Sequence, residues 1–409
     1  MRSFLFCISF LTTVYCFAQT REPIVVGQTD HIYSSILQEN RKVWVYAPAY
    51  DSTNIFAPQR YPVIYLLDGD THFLAIKAMI QQLSERTGGI TFPEMIIVGI
   101  LNTDRNRDLT PTQATTAPGM SSEVLKRTGG GRQFLSFVEK ELMPHIDSLY
   151  PTAPYRVLMG HSLGGLTALS ALLHQPALFN AYIASDPSLS WDDGKLLKQA
   201  KTILQTESFS GKMLYLGIAN TMENGMDTSS VKKDTAVMTR HIRSILKMTK
   251  YLDAGVMNGL REKWSYYPDY NHATLPLVSA YDGLRFIFSG YDFELAMPQF
   301  FDAGYAKDSL IDIHYKELSR QMGYKVSAPE IFINNLAYNL QNAKQFKRAY
   351  YFFRMNIENY PGSFNVYDSM GDYYAATGDN QKASEYYLKA LALRDFAETR
   401  EKLEKLKRR

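Results

Sequence analysis

Cysteine is almost absent from this chain of 409 residues, and its two copies, Cys7 and Cys16, stand near the beginning. The rest of the sequence therefore offers no thiol nucleophile, no disulfide and no cysteine-based metal site. A chain without covalent crosslinks is stabilised by its hydrophobic core, and this length is sufficient for a large core. We expect its stability to come from packing.

Neither sign of charge is in strong excess, since 44 Lys and Arg residues stand against 41 Asp and Glu residues, for a net charge of +3. This balance does not indicate nucleic-acid binding. The motifs of zinc peptidases and of P-loop nucleotide binding are also missing, so we predict no metal and no cofactor. The glycine-rich stretch at 127–132, "RTGGGR", follows no predicted strand, and with residues 112–123 we expect it to form a rim or lid.

The chain begins with "MRSFLFCISFLTTVYCFAQ", which is typical of a secretory signal. Arg2 precedes an apolar stretch at 4–14 that is too short to span a bilayer comfortably. The "CFA" before Gln19 fits a small-x-small cleavage site. We predict a signal peptide over residues 1–18 and a periplasmic or secreted mature protein without stable membrane insertion.

Short buried runs alternate with helical patterns over about residues 30–295. The runs are continuous and apolar, as parallel strands covered on both faces require; they include "YPVIYLLDGD", "MIIVGIL", "YRVLMG", "FNAYIASDPS" and "KMLYLGIAN". This alternation predicts an α/β protein with a mostly parallel sheet between two layers of helices. We assign this domain to residues 19–299, followed by a helical connector over residues 300–328.

The tail at residues 329–409 has a different pattern. Two segments align at a spacing of 34 residues, which places Ala349 over Ala383 and Leu336 over Met370. A period of about 34 residues with small residues at fixed helix positions is typical of tetratricopeptide repeats. Two repeats are few for a free-standing solenoid, so we predict a small all-α domain that packs on the preceding domain or on a protein partner. A plain helical hairpin without a binding role is the alternative.

The clearest chemical signal is "VLMGHSLGGL" at residues 157–166, in which Ser162 stands between Gly160 and Gly164. The pattern G-x-S-x-G between a buried strand and a helix is typical of a nucleophile elbow, a sharp turn that exposes the serine hydroxyl. A base must follow it in the chain, and His272 lies in a loop after a predicted strand, where a base belongs. The other histidines after Ser162 lie in helical patterns: His174, His241 and His314.

The acid that orients the base has a weaker signal. We expect it after the penultimate strand, so we favour Glu223, which follows "KMLYLGIAN", and keep Asp227 and Asp186 as alternatives. An oxyanion hole needs two backbone N–H groups. We predict those of Leu163, directly after the nucleophile, and of Asp70, in the loop "LLDGDTHF".

Several of these stretches together resemble the esterase family of α/β-hydrolases that includes esterase D, feruloyl and acetyl xylan esterases and siderophore esterases. The resemblance covers about residues 30–295 and rests on "SSILQENRKVWVYAP", "RNRDLTP", "ELMPHIDSLYPT", "GHSLGG", "SDPSLSW" and "HATLPL". It implies an α/β-hydrolase fold, with Ser162 as the nucleophile and His272 as the base.

The same resemblance implies that Trp191 and "RNRDLTP" shape the substrate pocket, to which we add His161 and Phe73. Aromatic side chains there suggest a carbohydrate, aryl or siderophore ester. The sequence thus predicts an exported serine esterase that works through an acyl-enzyme. Two alternatives stay open: an acyltransferase that uses the same triad, and a non-catalytic hydrolase-fold scaffold that binds a protein partner through its repeats.

Overall fold

The computed structural model describes most of the chain, namely residues 22–49, 54–84, 91–117, 119–254, 259–293, 301–302 and 308–408. The predicted signal peptide, residues 1–18, lies outside the described residues, and so do Cys7 and Cys16. Within the described part of the chain, none of the helices is both long and apolar enough to cross a lipid bilayer.

Eight strands of the described chain form a sheet in the order β1-β2-β4-β3-β5-β6-β7-β8. They are β1 Gln28–Ser34, β2 Glu39–Tyr46, β3 Tyr61–Leu66, β4 Ile96–Ile100, β5 Thr152–His161, β6 Ala181–Ser185, β7 Met213–Ala219 and β8 Arg261–Tyr267. The pairs β1–β2 and β2–β4 are antiparallel, and the other pairs are parallel. The predicted α/β fold with a mostly parallel sheet is confirmed.

The central strands are buried on both faces of the sheet, which explains their continuous apolar runs. Side chains alternate across a strand, so Tyr65 of β3 packs in one core and its neighbour Ile64 packs in another. We call the core that contains Tyr65 the first core and the core that contains Ile64 the second core.

Helices cover both faces of the sheet. In chain order they are α1 Gly69–Ser84, α2 Arg105–Asp108, α3 Ser122–Lys126, α4 Gly131–Phe137, α5 Met143–Leu149, α6 Leu163–His174, α7 Trp191–Thr206, α8 Arg240–Asp253, α9 Leu275–Ile287 and α10 Ser309–Met322. A π-helix, Val138–Leu142, joins α4 to α5. Helices α4 to α8 pack in the first core, whereas α1, α9 and α10 pack in the second.

The tail consists of two helix pairs and a last helix. The pairs are α11 Glu330–Asn342 with α12 Phe346–Asn359, and α13 Phe364–Ala376 with α14 Asn380–Leu393; α15 Ala397–Lys407 follows. Because α11 begins at residue 330 and α13 at residue 364, the helix pairs have the spacing seen in the sequence. Ala349 and Ala383 are fully buried at equivalent positions. The tetratricopeptide assignment itself stays a prediction.

The tail packs directly on the α/β domain. The second core continues from Ile64 on β3 to Met370 on α13. In addition, the carboxylate of Glu330 accepts a hydrogen bond of 2.7 Å from the backbone N–H of Ala57, in the loop before β3.

The parallel strands β5 to β8 all end at one edge of the sheet, where ligands of open α/β sheets bind. The loops that leave β5, β6 and β8 at this edge carry Ser162, Asp186 and His272. The topology therefore gathers residues that lie more than a hundred positions apart in the chain.

Candidate active site

Ser162 lies in the sharp turn between β5 and α6. Its backbone has φ 58° and ψ −113°, a strained conformation that residues with a side chain rarely adopt. The turn closes because residues 160 and 164 are glycines: a Cβ atom on Gly160 would lie 2.4 Å from the carbonyl carbon of Gly164. This geometry explains the spacing of the G-x-S-x-G motif and turns the Ser162 hydroxyl toward the neighbouring loops.

His272 lies in the loop after β8, and its Nε2 atom is 3.1 Å from the Oγ atom of Ser162. At this distance the hydroxyl donates a hydrogen bond to the imidazole, provided that Nδ1 carries the ring proton. The Ser188 hydroxyl also lies 3.1 Å from Ser162 Oγ. The structure therefore brings together the two residues that the sequence predicts as nucleophile and base.

Asp186 follows β6 directly and lies behind His272. Its Oδ2 atom accepts a hydrogen bond of 2.5 Å from Nδ1 of His272, and its Oδ1 atom accepts one of 3.0 Å from the backbone N–H of Ala219. The Asp186 side chain is fully buried. A carboxylate at Nδ1 fixes the imidazole tautomer whose Nε2 can take a proton from serine, and it stabilises the imidazolium that forms.

Glu223, the acid favoured from the sequence, does not reach His272. It lies exposed in the loop after β7, and Asp227 lies exposed in the same loop, where its Oδ1 atom accepts backbone N–H groups of that loop. Asp186, which the sequence analysis keeps as an alternative, takes this place instead. The physical reason is that β6 is the immediate neighbour of β5 in the sheet, so the residue after β6 lies beside the elbow.

Burial and hydrogen bonding act in opposite directions on the pKa of Asp186. Burial raises this pKa, but the hydrogen bonds from His241, His272 and the Ala219 N–H outweigh it, and the pKa lies well below its ordinary value. Asp186 is therefore ionised at neutral pH, as the role of a counter-charge to His272 requires.

A row of two further histidines extends from His272: His161 packs against His272, and His72 packs against His161. The His161 ring centroid is 4.5 Å from that of His272, and the His72 ring is 6.0 Å from His161. Burial, helped by the nearby His272 and His72, lowers the pKa of His161 to about 4, and burial also lowers the pKa of His72. Both imidazoles are neutral at neutral pH. His161, predicted in the substrate pocket, packs against the ring of His272 instead and is not among the residues that line the cavity beside Ser162.

The residues predicted for the oxyanion hole lie at two helix starts. Helix α6 begins at Leu163, and Asp70 is in the first turn of α1, so neither N–H group has an acceptor within its helix. The two starts are close, because a Cβ atom on Gly164 would lie 3.3 Å from Oδ2 of Asp68. Arg105 holds this loop through hydrogen bonds of 2.6 and 3.0 Å to the Asp68 carboxylate.

A cavity of about 700 Å³ opens beside Ser162. Its walls include Arg105, Met120, Trp191, Met238, Arg240 and His241. Trp191 therefore lines the cavity, and its indole N–H donates a hydrogen bond of 3.0 Å to the Thr112 carbonyl. Phe73, which we also predicted there, does not: it is only 2% exposed and packs in the second core, edge-on to Trp44.

Among the described residues, Asp186, His241 and His272 bring potential metal ligands within 4.8 Å of one another. However, Oδ2 of Asp186 is 2.5 Å from Nδ1 of His272 and 2.9 Å from Nε2 of His241. Two ligands of a tetrahedral zinc ion lie roughly 3.3 Å apart. The observed contacts are hydrogen bonds, with a proton on each imidazole nitrogen that faces the carboxylate.

Ser188 and His241 also reach the site, and neither is predicted there from the sequence. Ser188 lies two residues after Asp186 in "SDPSLSW", so its position just after a buried strand was a usable signal. His241 lies in α8, and it reaches Asp186 from 55 positions away in the chain. Its helical surroundings in the sequence carry no indication of this contact.

The sheet order, the elbow at Ser162 and the histidine loop after β8 define the class of the α/β-hydrolases. Within this class, a family model described as "Putative esterase" matches residues 34–243, and the chain belongs to that family. The family resemblance read from the sequence is confirmed.

Two of the curated relatives are named as siderophore esterases. Ferri-bacillibactin esterase BesA of Bacillus subtilis is 36% identical over 155 residues, which cover 35% of this chain and 53% of that protein. The siderophore triacetylfusarinine C esterase of Aspergillus fumigatus is 35% identical over 161 residues, which cover 36% of this chain and 51% of that protein. The chain thus spans about half the length of the curated relatives that it matches.

A solved structure covers more of the chain. An IroE-like serine hydrolase from Shewanella oneidensis has a TM-score of 0.67 and 30% identity, over 81% of this chain and 99% of that one. A protein from Capnocytophaga ochracea, at 17% identity and a TM-score of 0.58, covers 93% of this chain and 99% of its own length, and this likeness concerns the fold alone.

Proposed function

We propose that the protein is a serine esterase that hydrolyses a carboxylic ester through an acyl-enzyme. The observation that carries this proposal is the pair of hydrogen bonds from Ser162 to His272 and from His272 to Asp186. This geometry is that of the catalytic triad of serine hydrolases, which consists of a nucleophile, a base and an acid that orients the base. Membership of the esterase family supports an ester as the reacting bond.

In the first half of the reaction the Ser162 Oγ atom attacks the ester carbonyl carbon while Nε2 of His272 takes the hydroxyl proton. The carbonyl oxygen becomes an oxyanion, to which the N–H groups of Leu163 and Asp70 donate hydrogen bonds. His272 then gives its proton to the alcohol oxygen as that bond breaks. The products of this half are the free alcohol and an acyl group on Ser162.

In the second half a water molecule attacks the acyl carbon, and His272 takes its proton. The tetrahedral intermediate collapses, His272 returns the proton to Ser162, and the carboxylic acid leaves. Asp186 stays ionised throughout and stabilises the imidazolium in both halves. Arg105 and Arg240 line the cavity, and Asp193, the ion-pair partner of Arg240, lines it too, so the wall presents both signs of charge to the substrate.

We propose that the ester is that of a siderophore. This rests on the names of the relatives, which act on ferri-bacillibactin and triacetylfusarinine C, and on a cavity of about 700 Å³ with an aromatic wall at Trp191. A substrate panel tests it: bacillibactin and triacetylfusarinine C with and without iron, against acetylated xylan and a feruloyl ester. Preference for acetylated xylan or for the feruloyl ester would refute this substrate class.

The test of the activity itself is Ser162→Ala. Hydrolysis of p-nitrophenyl acetate should fall by at least about a thousandfold, because the variant has no nucleophile. Labelling by a fluorophosphonate probe should disappear with it. Unchanged turnover by Ser162→Ala would refute the serine mechanism. Export stays a prediction from residues 1–18, and cell fractionation tests it.

A further inference from the structure

Asp186 receives hydrogen bonds from two imidazoles. Besides His272, His241 lies with its Nε2 atom 2.9 Å from the same oxygen, Oδ2. The two rings are nearly perpendicular, at 88°, with centroids 5.2 Å apart. Among the hydrogen bonds of the described residues, none joins the His241 ring to Ser162; the ring bonds to the Asp186 carboxylate.

This second imidazole completes the surroundings of a fully buried charge. The Asp186 carboxylate is 0% exposed, so every hydrogen bond that it accepts replaces one that water would give. Ala219 N–H serves Oδ1, and the two histidines share Oδ2. Removing one donor leaves a buried anion partly unsatisfied.

The position of His241 is itself fixed by its surroundings. It is in the first turn of α8, whose start is tied to α7 by a hydrogen bond of 2.6 Å from Arg240 to Asp193. One turn later, Arg243 donates to the carbonyl of Ala236, at 2.6 Å, in the segment before the helix. Helix α8 also packs in the first core through Ile242 and Ile245, so it presents His241 to Asp186 from a well-packed element, as a positioning group requires.

We propose that His241 is a positioning residue for the triad, holding the Asp186 carboxylate ionised and aimed at Nδ1 of His272. This inference rests on the proposed esterase function. His241 acts through Asp186, so its removal slows the chemical step and leaves the binding of a small ester largely unchanged.

Three substitutions separate the hydrogen bond from the mere volume of the ring. His241→Gln places an amide N–H near the position of Nε2. His241→Asn carries the same amide but is too short to reach, and His241→Leu keeps the bulk without a donor. We expect the His241→Leu and His241→Asn variants to have a kcat for p-nitrophenyl acetate that is lower by about tenfold or more, and a KM within about twofold of the wild-type value. We expect Gln to retain about a third or more of the wild-type kcat.

Wild-type kcat in His241→Leu, or a Gln variant as slow as the Asn variant, would overturn the inference. If His241→Leu fails to fold, the Gln and Asn pair decides, because both variants are polar and differ only in reach. His174→Gln, in an exposed position at the end of α6, is the matched control and should behave as the wild type. Ser162→Ala in the same assay distinguishes failure of the esterase proposal from failure of the inference about His241. Activity in Ser162→Ala refutes the esterase proposal, whatever the His241 variants show.

Discussion

The buried carboxylate of Asp186 lies behind His272, and replacing it with an amide tests its role as the orienting acid. Asp186→Asn keeps the size of the side chain but favours the wrong imidazole tautomer and removes the counter-charge of the imidazolium. We therefore expect kcat to fall by about 10³–10⁴-fold. Steady-state hydrolysis of p-nitrophenyl acetate measures the fall, and a circular-dichroism spectrum shows that the variant is folded.

Glu223→Gln and Asp227→Asn are matched controls for this variant, because both residues are exposed in the loop after β7. Exposed side chains without a catalytic contact tolerate such changes, so we expect activity within about twofold of the wild type. A large loss from Glu223→Gln, with little loss from Asp186→Asn, would return the acid to the position that the sequence favours.

The residues of the site differ in how far the sequence reveals them. Ser162 has a local signal, since Gly160 and Gly164 are needed for its turn, and His272 lies in a polar loop after a strand. The acid has no such signal, because a carboxylate after β6 and one after β7 look alike in one dimension. Burial separates them, and burial depends on which loop the helices cover.

His161 makes stability depend on pH. Its pKa is lowered to about 4 in the folded protein, against about 6.5 in an unfolded chain. Between about pH 6.5 and about pH 4, His161 is therefore protonated in the unfolded chain but neutral in the folded protein. Stability is lost as the pH falls through this range. We expect this residue to remove about 3 kcal/mol from the free energy of unfolding over that range.

Urea unfolding of the wild type and of His161→Gln at pH 7.0 and pH 4.5 measures this contribution, since other titrating groups cancel in the comparison. The Gln variant should lose less stability between the two pH values. His174→Gln, which removes an exposed histidine, should lose as much as the wild type. Equal losses in wild type and His161→Gln would contradict the assignment.

At the scale of elements, the sharp turn from β5 to α6 requires that residue 160 has no side chain. A Cβ atom at Gly160 would lie 2.4 Å from backbone atoms of Gly164, which have no freedom to move within the turn. We expect Gly160→Ala to lower the free energy of unfolding by roughly 1–3 kcal/mol, as overpacking does. It should also abolish fluorophosphonate labelling of Ser162.

Gly362→Ala is the control for this substitution, because a Cβ atom there meets no atom within 4 Å. Its stability and labelling should be close to those of the wild type. Labelling of Gly160→Ala at the wild-type rate would show that the elbow tolerates the methyl group.

The positions of helices and strands can be predicted where one pattern of apolar residues, either a continuous run or helical spacing, dominates a segment. The buried runs predict β3, β4, β6 and β7, because strands covered on both faces are apolar throughout. Phe73 is a case in which the sequence predicts the helix correctly but places one of its core residues in the substrate pocket. Phe73, Ile76 and Ile80 recur at helical spacing in α1 and face the sheet, so the helix turns Phe73 away from the cavity.

At the scale of the whole molecule, the second core makes the tail part of the α/β domain. Buried side chains continue from Ile64 in the sheet to Met370 in α13. Glu330 adds hydrogen bonds between the tail and the domain. It is 1% exposed, and its carboxylate accepts hydrogen bonds from the backbone N–H of Ala57 and from the side chains of Ser363 and Asn365. Burial raises the pKa of Glu330 although these hydrogen bonds lower it. A shared core predicts that domain and tail unfold together.

Phe352→Ala tests this coupling from the tail side. Phe352 is fully buried in the second core, and its truncation should cost about 3–5 kcal/mol, which lowers the Tm of a single cooperative unit of this length by about 4–6 °C. Differential scanning calorimetry should show one transition in wild type and variant, and fluorophosphonate labelling of Ser162 should be lost at the same temperature. Leu388→Ala, 56% exposed on α14, should leave Tm within about 2 °C. A tail transition that precedes the loss of labelling would show that the two parts fold independently.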